Sequence, residues 1–251
     1  MKYIMLRIVV FSAVSLLGIM SGLAQLRIAD NNDVFWAPVT VQNRLSEKWF
    51  LHTEFQWRRT DRVQSPQQNL LRLGITWQAK PQHRFQAGYA WILTYPYGDF
   101  PLAENGTFAE RRTYQQWHFV NEISGKGAVF SSRLRTEQRW LEVLDTNSRF
   151  LRWNYLNRVR LMQRMQWPLK SVNKNLYLAL SDEIFIGFGK NVGLNVFDQN
   201  RLLGLLGMNL NKSVQLEMGV LNQILQQGKA VNGKPVFQYN TGPVLGCNIK
   251  L

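Results

Sequence analysis

The chain of 251 residues is poor in cysteine and histidine, and this scarcity excludes several kinds of site. Cys247 is its single cysteine, so it can form neither an internal disulfide framework nor a cysteine-based zinc site. Its three histidines, His52, His83 and His118, are scattered and do not have the spacing of metal ligands. We therefore expect no metal and no cofactor.

Long apolar segments are equally scarce. Only residues 8–26 form an extended, charge-free and mainly apolar run. The longest charge-free stretch after it, 235–249, is interrupted by polar residues, glycine and proline. This excludes a helical membrane protein but not membrane β-strands, which need only about 9–11 residues each.

The first segment has the features of a secretory signal peptide. Lys2 and Arg7 provide a basic start, residues 8–20 are apolar, and a small-x-small exit ends at Ala24. We expect cleavage there, with residues 1–24 removed. The alternative is an N-terminal membrane anchor, for which the apolar part is short compared with a span of about 20 residues.

An alternation of apolar and polar residues dominates the remaining domain, 25–251. In one segment Trp49, Leu51 and Phe55 alternate with His52 and Glu54. This period of two indicates strands with two different faces, and no useful helical period or linker interrupts it. We predict an all-β domain with eleven candidate strands: 33–45, 48–60, 67–80, 83–95, 110–124, 127–142, 149–167, 174–188, 197–210, 213–226 and 236–251.

The connections between these strands alternate in length, which is typical of an up-and-down antiparallel transmembrane barrel. Longer loops are predicted near 60–67, 96–110, 142–148, 189–196 and 226–235. Bacterial barrels of this type have even strand numbers, so we expect about twelve strands and keep ten open. Either residues 25–33 cross the barrel or one candidate strand is wrong. Each short turn carries lysine, and we expect this rim to face the periplasm: Lys48, Lys80, Lys126, Lys170 with Lys174, and Lys212.

Two features favour an apolar row that faces lipid over one that fills the core. Trp and Tyr concentrate near strand ends, as in the aromatic girdles of membrane barrels, whereas most Arg residues lie within strands on the polar row. The alternative is a secreted β-protein with a charged outer face. The aromatic residues concerned are Trp49, Trp57, Trp77, Trp91, Tyr95, Trp140, Trp153 and Trp167.

The polar row predicts a charged barrel interior, or lumen. An excess of arginine suggests an interior that attracts anions, either as a small anion-preferring pore or as a site for an acidic ligand. The alternative, which we favour, is packing, because narrow barrels fill their interiors with side chains. The predicted lumen residues are Glu54, Arg58, Arg72, Arg84, Arg112, His118, Glu122, Arg133, Arg135, Glu137, Arg139, Arg152, Arg158, Arg160, Glu183 and Arg201.

With the strands placed, the chain resembles the domain-of-unknown-function 2490 (DUF2490) family of exported β-barrel proteins, found mostly in Gram-negative Bacteroidota. The resemblance lies in WAPVTVQNRLSEKWFLHTEFQWR (36–58), RLRTEQR (133–139), LNRVR (156–160), SDEIF (181–185) and FDQNR (197–201). It implies a barrel in the cell outer membrane with outer-membrane lipid as a partner. It supplies no established activity and no catalytic residue.

Two further classes of function have weaker support. An outer-membrane lipid-modifying hydrolase would need a serine nucleophile beside a histidine near the outer rim, yet His52 and His83 flank short turns and no G-x-S-x-G occurs. The formal net charge of +14 prompts nucleic-acid binding, but the export segment and the alternating arginines argue against it. We expect a structural or binding barrel without enzymatic activity. The sequence leaves its oligomeric state open.

Overall fold

A computed structural model describes residues 27–123, 125 and 127–251. The predicted signal peptide lies outside these residues. All eleven candidate strands are confirmed, most with extended ends: β1 Ile28–Arg44, β2 Trp49–Thr60, β3 Ser65–Lys80, β4 His83–Thr94, β5 Phe108–Ile123, β6 Ala128–Leu144, β7 Phe150–Pro168, β8 Leu176–Phe188, β9 Phe197–Asn209, β10 Val214–Val231 and β11 Lys234–Lys250. Within the same residues, no helix has the length and apolarity to cross a membrane.

The strands form one closed barrel in which each strand pairs with its sequence neighbours. The expected even strand number is wrong, because the described chain forms eleven strands and closes by pairing β1 with β11 in parallel. Ten reversals of direction leave the first and last strands pointing the same way, so an odd meander can close only through a parallel pair. Residues 28–33 form the beginning of β1 and do not make a separate crossing.

The parallel seam brings two backbones unusually close at one glycine. Gly242 of β11 lies against Val34 of β1, where a Cβ atom on residue 242 would overlap the Val34 carbonyl oxygen. Further along, the Arg44 amide donates to the Leu251 carbonyl at 2.7 Å, and the Leu251 amide donates to the Gln42 carbonyl at 2.8 Å. Glycine therefore permits the close approach that the seam requires.

The predicted sorting of connections by length is confirmed only in part. Residues 95–107 and 189–196 are indeed long connections on the rim opposite Lys48, Lys80, Lys170 and Lys212. The predicted long loops 60–67 and 226–235 are wrong, because only residues 61–64 join β2 to β3, and β10 and β11 continue to a two-residue turn. Asn232 and Gly233 have φ angles of 51° and 74°, the positive values that a tight type I′ hairpin turn needs. Lys126 lies outside the described residues.

The barrel has an apolar outer face and a polar interior. On β3, Leu71, Leu73 and Ile75 are 40%, 37% and 42% exposed, whereas Arg72 between them is 4% exposed. Trp49 and Trp57, near opposite ends of β2, also point outward. This orientation confirms that the apolar row faces outward and the polar row faces the interior. It contradicts the alternative of a β-protein with a charged outer face.

Some polar side chains on the outer face of β5–β9 bond to one another across strands. The Thr113 hydroxyl donates to Gln138 Oε1 at 2.8 Å, and Asn200 Nδ2 donates to the Asp182 carboxylate at 2.7 Å. Such pairs satisfy the hydrogen-bonding groups of polar side chains that lie next to one another on this face.

Candidate functional site

A chain of alternating acidic and basic side chains crosses the lumen from β5 to β9. Glu110 accepts from Arg112 Nε at 2.5 Å and from Arg139 Nε at 2.6 Å. Arg139 Nη1 also lies 3.8 Å from Asp198, which pairs with Arg158. On β5, β6 and β7 the inward parity of the strand brings these groups together, because residues two apart share a face.

The chain continues through Glu137, the least exposed of the buried carboxylates in the lumen. Glu137 is 1% exposed and accepts from Arg158 Nη2 at 2.5 Å and Arg160 Nη1 at 2.7 Å. Arg160 then reaches Glu183 at 2.9 Å, which also accepts from Arg133 at 2.7 Å. Each of these carboxylates thus satisfies two guanidinium groups, which lowers the cost of removing all of them from water.

Aromatic rings fill the spaces between these cations. The guanidinium carbons of Arg160, Arg201 and Arg158 lie 4.2, 4.6 and 5.0 Å from the Phe185 ring centroid. Phe185 itself has no exposed surface. Trp36 is placed similarly beneath Arg58 and Arg201. The lumen is therefore packed by cation–π contacts as well as by ion pairs.

Most of the predicted lumen residues come together in this interior. Glu54, Arg58, Arg72, Arg112, Arg135, Glu137, Arg158, Arg160 and Glu183 are buried, and Arg84, His118, Arg133, Arg139 and Arg201 are partly buried on the inward rows. Near the short-turn rim, His118 on β5 is paired in register with Arg84 on β4 and with Arg133 on β6.

Two predicted lumen residues are exposed, and their assignment is wrong. Arg152 lies on a part of β7 that pairs with β6 alone, since pairing with β8 begins only at Asn157. Glu122 lies beyond the last pair that β5 makes with β4, at Phe119. Both side chains have the inward parity but project past the closed part of the barrel.

Sequence reasoning missed three buried acidic groups, two of which belong to the charge chain. Glu110 lies two residues before Arg112, so their shared parity could have placed it in the lumen. Asp198 could not be found that way, because a bulge opposite the Phe185/Ile186 step shifts the parity of β9. Asp30 was missed because the predicted first strand begins at residue 33, whereas β1 begins at Ile28.

With these additions the fully buried charges balance. Among the described residues, the buried carboxylates are Asp30, Glu54, Glu110, Glu137, Glu183 and Asp198, and the buried guanidinium groups are Arg58, Arg72, Arg112, Arg135, Arg158 and Arg160. The large arginine excess inferred from sequence is therefore absent from the core of the lumen. An excess remains among the partly buried arginines toward the two rims.

A cavity of about 350 Å³ lies between the charge chain and the long-loop rim, and we call it the vestibule. Arg58, Arg112, Arg158 and Arg201 contribute to its charged lining. Loop 95–107 and loop 189–196 contribute to its walls.

Buried Asp30 holds loop 95–107 against the lumen. Its carboxylate accepts from the amides of Asp99 and Phe100 at 3.4 and 3.3 Å. On the same loop, the Tyr97 hydroxyl donates to Gln238 Oε1 at 3.1 Å. Withdrawal from water raises the pKa of Tyr97, so its hydroxyl remains a neutral hydrogen-bond donor.

The other two histidines lie near the short-turn rim. His52 Nε2 is 3.4 Å from Glu54, and His83 Nδ1 accepts from Trp117 Nε1 at 3.1 Å. In the described part of the chain, no group of three His, Cys, Asp or Glu side chains could hold a metal ion.

These features define a class of protein: a small closed β-barrel with an apolar exterior and an ion-paired interior. The chain belongs to the family described as protein of unknown function (DUF2490), which matches residues 34–233. Among solved structures it is similar to the NanC porin in a rhombohedral crystal form, with 12% identity and a TM-score of 0.48. That match covers 84% of this chain and 91% of the porin chain. No curated protein matches the sequence.

Proposed function

We propose that this protein is an outer-membrane β-barrel that works as a structural or binding barrel, with a lumen closed by charged side chains. The observation that carries the proposal is the reversal of the usual pattern of burial: arginine and glutamate are inside, and leucine, isoleucine and tryptophan are outside. A water-soluble barrel would have to leave this apolar surface in contact with water, at a cost that grows with its area.

The dimensions of the outer face support a membrane location. Eight residues separate the outward-facing Trp49 and Trp57, which corresponds to about 27 Å along a strand. Because strands in such barrels are tilted, this distance corresponds to roughly 20 Å along the barrel axis. That height is close to the apolar band of about 25 Å on outer-membrane barrels. Stacking of Trp49 on Trp77, with ring centroids 6.2 Å apart, extends the aromatic girdle to the next strand.

The packing of the lumen favours a binding barrel over the alternative of an anion-preferring pore. Arg158, Glu137 and Arg160 lie across the interior with exposures of 2%, 1% and 4%, so they leave little room for a water-filled path between them. The vestibule stops above this layer and opens toward the long-loop rim. We propose that the barrel has no enzymatic activity. Lipid hydrolysis is the least favoured of the three candidate functions, after the binding barrel and the anion-preferring pore.

Fractionation and gel mobility test the proposal. We expect the protein to sediment with membranes and to require detergent for extraction. Because a closed barrel resists detergent until it is heated, unheated and boiled samples should migrate differently on a detergent gel. Recovery of the folded protein in the soluble fraction would contradict the membrane location. A large steady current in planar bilayers would contradict the closed lumen.

A further inference from the structure

The vestibule contains two arginines that have no carboxylate partner in the described chain. Arg58 donates from Nε to Gln56 Oε1 at 2.9 Å and from Nη1 to Gln68 Oε1 at 2.7 Å, and its Nη2 also donates to Gln56 Oε1. Arg201 donates from Nε to Gln199 Oε1 at 2.9 Å. Within the described residues, neither terminal nitrogen of Arg201 donates to a protein acceptor, although this side chain lines the cavity.

The same aromatic ring holds both of these cations. Their guanidinium carbons lie 3.8 Å (Arg58) and 4.9 Å (Arg201) from the Trp36 ring centroid. The ring is fixed in turn, because Trp36 Nε1 donates to Gln67 Oε1 at 2.7 Å. Two like charges are therefore pre-positioned near each other by a neutral ring and neutral amides.

The carboxylates of the vestibule are already occupied by other cations. Glu110 pairs with Arg112 and Arg139, and Asp198 pairs with Arg158. The third carboxylate of the lining, Glu104, pairs with Lys229 at 2.7 Å near the mouth. The cavity thus retains two guanidinium groups, those of Arg58 and Arg201, that form no ion pair with a carboxylate of the described chain, and unpaired cations of this kind favour the binding of an anion.

The rest of the lining indicates the size and character of the anion. A cavity of about 350 Å³ is within the range for small-molecule sites. Apolar side chains also line it: Leu102, Phe108, Leu141, Leu156 and Leu225. A ligand that combines a charged group with an apolar body would match both parts of this surface.

We propose that the vestibule is a binding site for a small organic anion whose carboxylate or phosphate group contacts Arg201 and Arg58. The terminal nitrogens of Arg201 present the paired donors that carboxylate and phosphate oxygens accept. The apolar wall would cover the remainder of the ligand. The inference requires a folded barrel but not its membrane location, so soluble recovery would defeat the proposed function without deciding this one.

Titration calorimetry on the full protein folded in detergent, in Tris-chloride buffer, would test this site. The probes are phenyl phosphate and benzoate, with uncharged benzamide as a control of similar shape. We expect saturable binding of at least one anion and at least about tenfold weaker binding of benzamide, because benzamide lacks the charge that Arg201 meets. Phenyl phosphate alone would indicate a phosphate ligand, and benzoate alone a carboxylate ligand.

Two variants locate the binding. Arg201→Gln should weaken anion binding at least about tenfold by removing the charge-assisted hydrogen bonds. Arg152→Gln removes the same charge from an exposed position at the same rim and should leave binding unchanged. Heat-dependent gel mobility would establish that both variants are folded.

Three results would overturn the inference. One is the absence of saturable binding of either anion to the unmodified protein. Another is equal binding of benzamide, which would indicate an apolar cavity only. The third is an Arg201→Gln variant that is folded and binds either anion as tightly as the unmodified protein or the Arg152→Gln variant.

Discussion

At the scale of the residue, Glu137 shows how the lumen tolerates its charges. Arg158 and Arg160, both on β7, direct guanidinium nitrogens at its two carboxylate oxygens, while Arg135 on its own strand is more distant at 3.6 Å. Arg135 and Arg139 flank Glu137 on the inward face of β6, yet its closest partners come from the adjacent strand. Without the charge of Glu137, Arg158 and Arg160 would each lose one of their two carboxylate partners. Arg158 would keep Asp198, and Arg160 would keep Glu183.

We therefore expect Glu137→Gln to destabilise the barrel by about 3–5 kcal/mol, the usual cost of breaking a buried pair from one side. Denaturant unfolding of the detergent-folded protein, followed by tryptophan fluorescence, would measure this loss. Glu122→Gln makes the same chemical change at an exposed site and should have little effect. Equal stability of the two variants would show that the charge chain does not hold the lumen together.

At the scale of the element, the parallel pairing of β1 and β11 is the feature on which closure depends. Gly242 allows the two backbones to approach at Val34, and the nearby side chains of Leu221 and Val244 bury the inner side of the seam. A methyl group at Gly242 would need the strands to separate, because it would overlap a backbone atom that cannot turn away.

Gly242→Ala should consequently reduce the fraction of protein that reaches the folded, heat-sensitive gel form, with a cost of about 1–3 kcal/mol if the barrel still closes. Gly246→Ala is the matched control on the same face of β11, since its new methyl group would meet its nearest atom, Pro38 Cγ, at 3.6 Å. Normal folding of both variants would contradict the role assigned to the seam.

At the scale of the whole molecule, the two rims differ because one of them carries the two longest connections, 95–107 and 189–196. If the barrel spans the outer membrane with its short turns toward the periplasm, Thr107 and Lys212 lie on opposite sides. In a Cys247→Ser background, Thr107→Cys should react with a membrane-impermeant maleimide on intact cells. Lys212→Cys should react only after lysis, and both positions are exposed in the folded chain.

Lysed cells serve as the control, because both variants must then be labelled to a similar extent. Labelling of Lys212→Cys on intact cells, with protection of Thr107→Cys, would reverse the orientation. Labelling of neither cysteine on intact cells would show that neither rim is accessible at the cell surface.

The sequence by itself determined the strands and their two faces. Alternation along β3, where Arg72 separates Leu71 from Leu73, depends only on the geometry of a single strand and is therefore visible without the fold. The placement of Arg58, Glu137 and Arg160 inside follows from the same local rule.

Closure and ion pairing were decided only by the tertiary structure. Register across β5–β9 selects the partners of each carboxylate, and a bulge on β9 admits Asp198 to the lumen against the parity of its neighbours. The absence of a second neighbour exposes Arg152, although its position in the alternation is correct. These outcomes depend on which strands lie side by side and how far each extends past the next, and no single strand contains that information.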